Sequence, residues 1–211
     1  MLSRQCPRCA GSLQPPDLWS SRWRCAAHGD VAPLRVLRAH GPTALAEVAA
    51  RARVPVWLPH PAPPGWVVTG LSEAGDERTG AVATAVALCG PGPVGGPAEL
   101  VLVAEQPGVG LGAALAGLPE LDGGDLPEGP AEGSVRVGGH PVPLWCAPGT
   151  SGDGCAYVGE ADGVWLWVLL WPDAASLLLL EPLRLIDLRR HAVPEIVCGA
   201  ASMRVSPQHA T

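Results

Sequence analysis

The chain of 211 residues contains no lysine, no phenylalanine and a single tyrosine. Without lysine, the G-K-[ST] end of a Walker phosphate loop cannot be written. Without phenylalanine, a core must come from leucine, valine, alanine and the eight tryptophans. Charge is scarce at 16%, and all fourteen basic residues are arginine. Together with abundant glycine and proline, that bias points to a GC-rich coding sequence, so arginine in place of lysine carries no functional weight. Long apolar runs are also missing. Val164–Trp171 is closed by Pro172 after eight residues, against the ~20 a helix needs to cross a bilayer, so no membrane span is expected. Between Met1 and Cys6 there is no apolar segment of the kind that exports a chain. The expectation is therefore a cytoplasmic, reducing setting with free thiols. No G-x-S-x-G elbow occurs.

What is present is concentrated at the N-terminus. Cys6-Pro7-Arg8-Cys9 is followed by Cys25-Ala26-Ala27-His28. A two-residue spacer lets one tight turn aim two side chains at a single ion, and two such turns close a tetrahedral shell. Cys6, Cys9, Cys25 and His28 are thus the expected ligands of a zinc ribbon over residues 1–40, with His40 an alternative to His28. Four protein ligands leave no position for water, which makes the zinc structural rather than catalytic. Gly11 and Gly29 follow the knuckles, where a positive φ is often required. Trp19–Cys25 alternates as a short strand would, and Val31–Leu37 reads as the ribbon's last strand.

Charge is unevenly divided. Residues 1–40 hold six arginines against Asp17 and Asp30, a net +4, while the rest carries eight arginines against eighteen acids, a net −10. Such a head can meet an acidic protein surface, its own body or nucleic acid. A protein partner is the primary expectation.

Beyond the head, residues 41–66 read as a short helix, N-capped by Thr43 and ending near Arg53, then a proline-rich arm. Five prolines between Val54 and Trp66 impose extended backbone. Trp57 and Trp66 on that arm are the candidates for a partner site, or else pack internally. Residues 67–198 read as an α+β domain, a mainly antiparallel sheet with a few short helices. Trp66–Glu73 and Ala81–Cys89 form one hairpin, and Glu99–Glu105 is a central strand because its apolar run is continuous. The turns Gly138-Gly139-His140 and Ala161-Asp162-Gly163 join two further hairpins. An acidic loop is expected over residues 119–133, a helix from Ala174 to about Leu180, broken or re-entered at Pro182 with Leu183–Arg190 as its continuation, and a loose tail over 199–211.

Candidate chemistry in the body is sparse. Gly108, Gly110 and Ala113 fit G-x-G-x-x-A between a strand and a helix, so Gly108, Gly110 and Gly112 are candidates for holding a phosphate. No second parallel strand ending in an acid follows. His140 and Cys146 share strand parity, with Asp153 and Cys155 nearby. The blander reading is a solvated histidine and inert thiols, with Cys89 and Cys198 as small core residues.

With C-P-R-C (Cys6–Cys9), W-x-C-x-x-H (Trp23–His28) and V-P-V-W-x-P-x-P-x-P-x-G-W (Val54–Trp66) in view, the chain resembles a bacterial family of unknown function. G-P-G-P-x-G-G (Gly90–Gly96), E-L-V-L-V-A-E-x-P-G-V-G-L-G-A (Glu99–Ala113) and G-x-W-L-W-V-x-x-W-P (Gly163–Pro172) extend that resemblance over nearly the whole length. Members are sometimes labelled phosphotransacetylase; the resemblance implies the zinc ligands and no further site. The resulting expectation is a non-enzymatic interaction or regulatory module with a structural zinc. A small-ligand (phosphate or acyl-group) binding protein or transferase using the Gly108–Gly112 turn is the alternative.

Overall fold

The computed structural model describes residues 4–118, 129–148, 152–202 and 204–207. Three two-residue strands, β1 (Leu13–Gln14), β2 (Arg24–Cys25) and β3 (Gly29–Asp30), form a small antiparallel head sheet. The body follows as β4 (Leu34–Val36), α1 (Pro42–Arg51), β5 (Trp57–Pro59), β6 (Val67–Asp76), β7 (Gly80–Pro91), β8 (Pro97–Glu105) and α2 (Leu111–Leu115). It continues through β9 (Gly133–Val137), β10 (His140–Cys146), β11 (Cys155–Ala161), β12 (Val164–Trp171), a 3-10 helix (Asp173–Leu179) and β13 (Arg184–Asp187). The body is mostly sheet with few short helices, the α+β class in its coarse sense.

Among the described residues the body strands lie in the order β4-β6-β7-β8-β12-β11-β10-β9-β13-β5. Every pairing is antiparallel except β13 with β9. β10 carries the bend: its first residues pair with β9, whereas Trp145 and Cys146 pair with β11. The sheet thereby folds back until β5 packs on β7 and β8. Alternation along the central strands explains the two cores. Leu100 and Leu102 of β8, with Leu166 and Val168 of β12, face the enclosed core together with Trp57, Leu144 and α1 residues Leu45 and Val48. Val101, Val103, Trp167 and Leu169 face the other side, covered by α2 and by Val205. A strand sealed on both faces needs a continuous apolar run, and β8 and β12 have one.

Several expectations change here. Leu34–Val36 is not the ribbon's last strand: it pairs with β6 at the edge of the body sheet. The first helix is N-capped by Gly41 with Pro42 in its first turn, not by Thr43, because proline's fixed φ suits that position. The expected helix through Leu183–Arg190 is a 3-10 helix followed by β13. Pro182 halts helical backbone, and Leu185 and Ile186 find ladder partners in β5 instead. Trp57 and Trp66 are 1% and 6% exposed, so the arm packs internally and offers neither ring to a partner. The tail is not loose over its described part. Gly199 and Ser202 N–H groups bond Val68 and Thr69 carbonyls, Arg204 pairs with Glu99 over the Trp171 ring, and Val205 is buried. The acidic loop falls largely outside the described residues.

Candidate metal centre

Each knuckle is a tight turn around a sulfur. In the first, the Cys6 N–H bonds the Gly11 carbonyl at 2.9 Å and the Ala10 N–H returns to the Cys6 carbonyl at 2.9 Å. Ala10, not Gly11, takes the left-handed backbone (φ 56°), whereas Gly29 takes it in the second knuckle (φ 67°) as expected. Arg8 and Cys9 N–H groups point at the Cys6 sulfur, and Ala27 and His28 N–H groups at the Cys25 sulfur.

The two turns bring together one ligand atom each from Cys6, Cys9, Cys25 and His28, all within 4.8 Å of one another. His28 Nδ1 lies 3.5 Å from both the Cys6 and Cys25 sulfurs, and the Cys9 and Cys25 sulfurs are 3.8 Å apart. A tetrahedral ion with bonds of about 2.3 Å to sulfur and about 2.05 Å to nitrogen has edges of about 3.8 Å between sulfurs and about 3.6 Å from sulfur to nitrogen. These three separations match those edges and the remaining ones are no longer than 4.8 Å, so the four residues could hold one metal ion. His40 is not part of the set, since its Nε2 lies 3.0 Å from the Gly199 carbonyl. Burial pushes the Cys6 thiol up to about 12. It acts on Cys25 too, but there the Ala27 N–H and the His28 ring and N–H outweigh it and bring the thiol down to about 6. A cation at the centre replaces the protons that burial otherwise keeps on sulfur.

The glycine turn after β8 is where this head sits on the body. Arg8, inside the first knuckle, donates to the Gly108 carbonyl at 2.6 Å, and its side chain lies over Gly110, where a Cβ would come within 2.9 Å of Nε. From the other side, Arg78 in the β6–β7 turn donates to the Ser21 carbonyl at 2.6 Å. Gln5 and Leu34 exchange both backbone hydrogen bonds. Between head and body remains a cleft of about 830 Å³, bordered by Arg8, Trp23, His28, Arg78, Thr79 and Gly108.

The same turn explains its glycines without a phosphate. Glu105, 2% exposed at the end of β8, accepts from the Leu111 N–H at 2.6 Å and the Gly112 N–H at 3.3 Å. Those are the donors that a phosphate at this helix start would take. Gly112 lies flat against the Trp167 indole, with no room for a side chain. His140 and Cys146 sit at opposite ends of β10, about 20 Å apart at the rise of a strand. Burial raises the Cys146 thiol and takes Cys155 to about 11, which keeps both protonated and unreactive. Cys198 is exposed rather than in the core.

The sequence reading missed Arg8 and Arg78 as the clamps between head and body. It also took Trp19 into a strand. Asp17 Oδ1 instead accepts the N–H groups of Trp19 (2.8 Å) and Ser20 (2.7 Å), making a turn that holds Leu18 and Trp19 at 98% and 95% exposure. The signal was Asp17 two and three residues ahead of the groups it caps.

The molecule is thus a two-knuckle Cys3His head clamped to a folded-over antiparallel sheet. The chain belongs to the family of unknown function DUF6758, matched over residues 1–205. That match carries no phosphotransacetylase assignment. Comparison with curated proteins and with solved structures gives no match. No helix among the described residues is long and apolar enough to cross a membrane.

Proposed function

We propose that this protein is a non-enzymatic interaction or regulatory module whose head is a zinc ribbon held by one structural zinc ion. The observation that carries this reading is the donor set: three sulfurs and one imidazole nitrogen gathered within 4.8 Å of one another, enough to fill a tetrahedral shell with no position left for water or substrate. Zinc fits a Cys3His set and, being redox-inert, fits a purely structural role. Thiolate ligands require a reducing compartment, in keeping with a cytoplasmic protein. The metal stiffens a head that displays Leu18 and Trp19 to solvent. Exposed tryptophan on a rigid turn is a side chain from which protein contacts draw much of their energy.

The partner is a protein rather than nucleic acid, because the head's arginines are largely engaged. Arg22 and Arg24 share Asp30, Arg4 lies over Trp23, and Arg8 is on Gly108. The test is to place a photo-crosslinking benzophenone side chain at position 19 and irradiate in lysate of the source cells. A discrete protein adduct, missing when the probe stands at Arg53 instead, is expected. Identical labelling at both positions, or none, would contradict the reading.

The second reading is a small-ligand binder or acyl or phosphoryl transferase at the Gly108–Gly112 turn, favoured by the arginine-bordered cleft beside Gly108. It requires a ligand to displace Glu105 from α2 or to bind against Arg8 and Arg78. Calorimetry with acetyl phosphate and with nucleotides decides it. Heat lost in Arg78→Ala supports it, and absence of heat from the wild type removes it.

A further inference from the structure

The large apolar side chains exposed on the described surface divide between opposite ends of the body sheet. Leu18 and Trp19 lie on the head, which docks where β8 ends at Glu105 and β6 turns into β7. Val94, Leu177, Leu180 and Val197 are the others, exposed by 65%, 41%, 79% and 66%. They belong to the other end, where Glu99 pairs with Cys89 and Trp171 and the 3-10 helix begins. The head therefore cannot fold onto Leu177 and Leu180 of its own chain.

We propose that the Leu18–Trp19 tip docks on the Leu177–Leu180 corner of a second copy of this chain, and that two copies pair reciprocally, antiparallel to one another. This rests on the protein-interaction reading above and names the partner. Three observations support it. One concerns area. A single tip covers one aromatic and one leucine side chain, a few hundred Å² at most, against about 800 Å² per partner in a standard stable interface. Reciprocal pairing uses the tip and the corner of each copy and so doubles the contact without another exposed patch. Charge is the second observation. Asp173 and Glu181 bracket the leucine corner, with Arg184 the next cation along the chain, and the body from residue 33 on carries ten arginines against eighteen acids, a net −8. The tip is followed by Arg22 and Arg24, which share the single Asp30, on a head whose four arginines against two acids leave a net +2. Symmetry is the third: a contact between unlike patches closes into a dimer when both patches are used at once about a two-fold axis.

The test is sedimentation velocity of the full metal-loaded chain across a dilution series, with metal content and circular dichroism measured on the same samples. The wild type is expected to run as a dimer that dissociates on dilution. Trp19→Ser and Leu180→Ser should each weaken association by about tenfold or more while keeping the metal and the sheet signal. An equimolar mixture of the two variants should associate more tightly than either variant alone, though less tightly than the wild type, because one of its two contacts then has both partners intact. A wild type that is monomeric at every concentration overturns the proposal, as does a dimer indifferent to Trp19→Ser. Unlimited growth of higher species overturns the closed pair. A monomeric wild type that still crosslinks a different protein at position 19 rejects the second copy and leaves the interaction reading standing. No crosslink at all removes both.

Discussion

Head and body solve the problem of staying folded by different means. In the body, β8 and β12 are buried on both faces, and Trp57, Trp167 and twelve leucines lose essentially all contact with water. Between residues 4 and 32, only Cys6, Pro7, Ala10 and Cys25 are buried. Two of those belong to the Cys3His cluster. So small a core cannot offset the conformational entropy of ordering the segment, and the head depends on what its four ligand atoms hold. On the proposed reading the body needs no metal, whereas the head depends on one. Where they meet, the chain uses arginine on backbone carbonyls, a contact that fixes position while burying little.

The largest expected effect is on the head. Chelation, or Cys9→Ser, removes an interaction whose apparent worth in zinc-finger peptides is about 10–16 kcal/mol. Amide hydrogen exchange should then show residues 5–32 unprotected while β6, β7, β8 and β12 keep their protection. Loss of protection in β8 and β12 as well would mean that the two regions are not independent. The converse experiment attacks the body. Trp167→Ala opens a cavity costing about 3–5 kcal/mol and should lower the melting temperature by about 6–20 °C for a chain of this size. The folded fraction should retain its metal.

A smaller effect is expected at the seam. Gly110 has φ 78° and carries the Arg8 side chain on its bare face, so Gly110→Ala costs about 1–2 kcal/mol in backbone strain alone. Arg8 must also shift. Exchange should rise at residues 76–79 and 108–110 with the metal still bound; metal loss in this variant would place the seam inside the ribbon's own stability. The smallest concerns the Arg78 turn. Burial opposes ionisation of Asp76, but the Thr79 N–H and hydroxyl and the Arg78 N–H prevail and hold its carboxyl below the usual value. A carboxyl lowered on folding stabilises the protein above its unfolded pKa and ceases to as pH falls through the folded one. Asp76→Asn should therefore melt slightly lower than wild type at pH ~7, with the gap closing toward pH ~3. A gap independent of pH would assign the turn to shape rather than charge.

The parts legible in the sequence were those fixed by local chemistry. Metal ligation demands C-x2-C and C-x2-H, and the structure brings Cys6, Cys9, Cys25 and His28 together. Asp162-Gly163 and Gly138-Gly139 take the left-handed backbone a tight hairpin requires, and both hairpins were readable from them. What stayed hidden was set by residues far apart along the chain. Nothing near Leu34 announces that it will pair with Ala74, nor anything near Leu185 that Pro59 will be opposite it. The glycine turn misled because close approach to Arg8 and Trp167 demands the same residues as close approach to a phosphate. Only Glu105, capping α2 from within, distinguishes the two. Trp57 and Trp66 misled similarly: an aromatic on a proline-rich arm looks alike whether the arm lies free or lies in the sheet as β5.

On the proposed reading, one metal ion held by all four ligands keeps the head in its fold. A native mass spectrum of the intact protein, purified under reducing and chelator-free conditions beside Cys6→Ser, tests it most directly. The expected result is a wild-type mass raised by one zinc ion less the displaced protons, with no such increment in the variant. A wild type at the bare chain mass, with its head still protected from exchange, would contradict it.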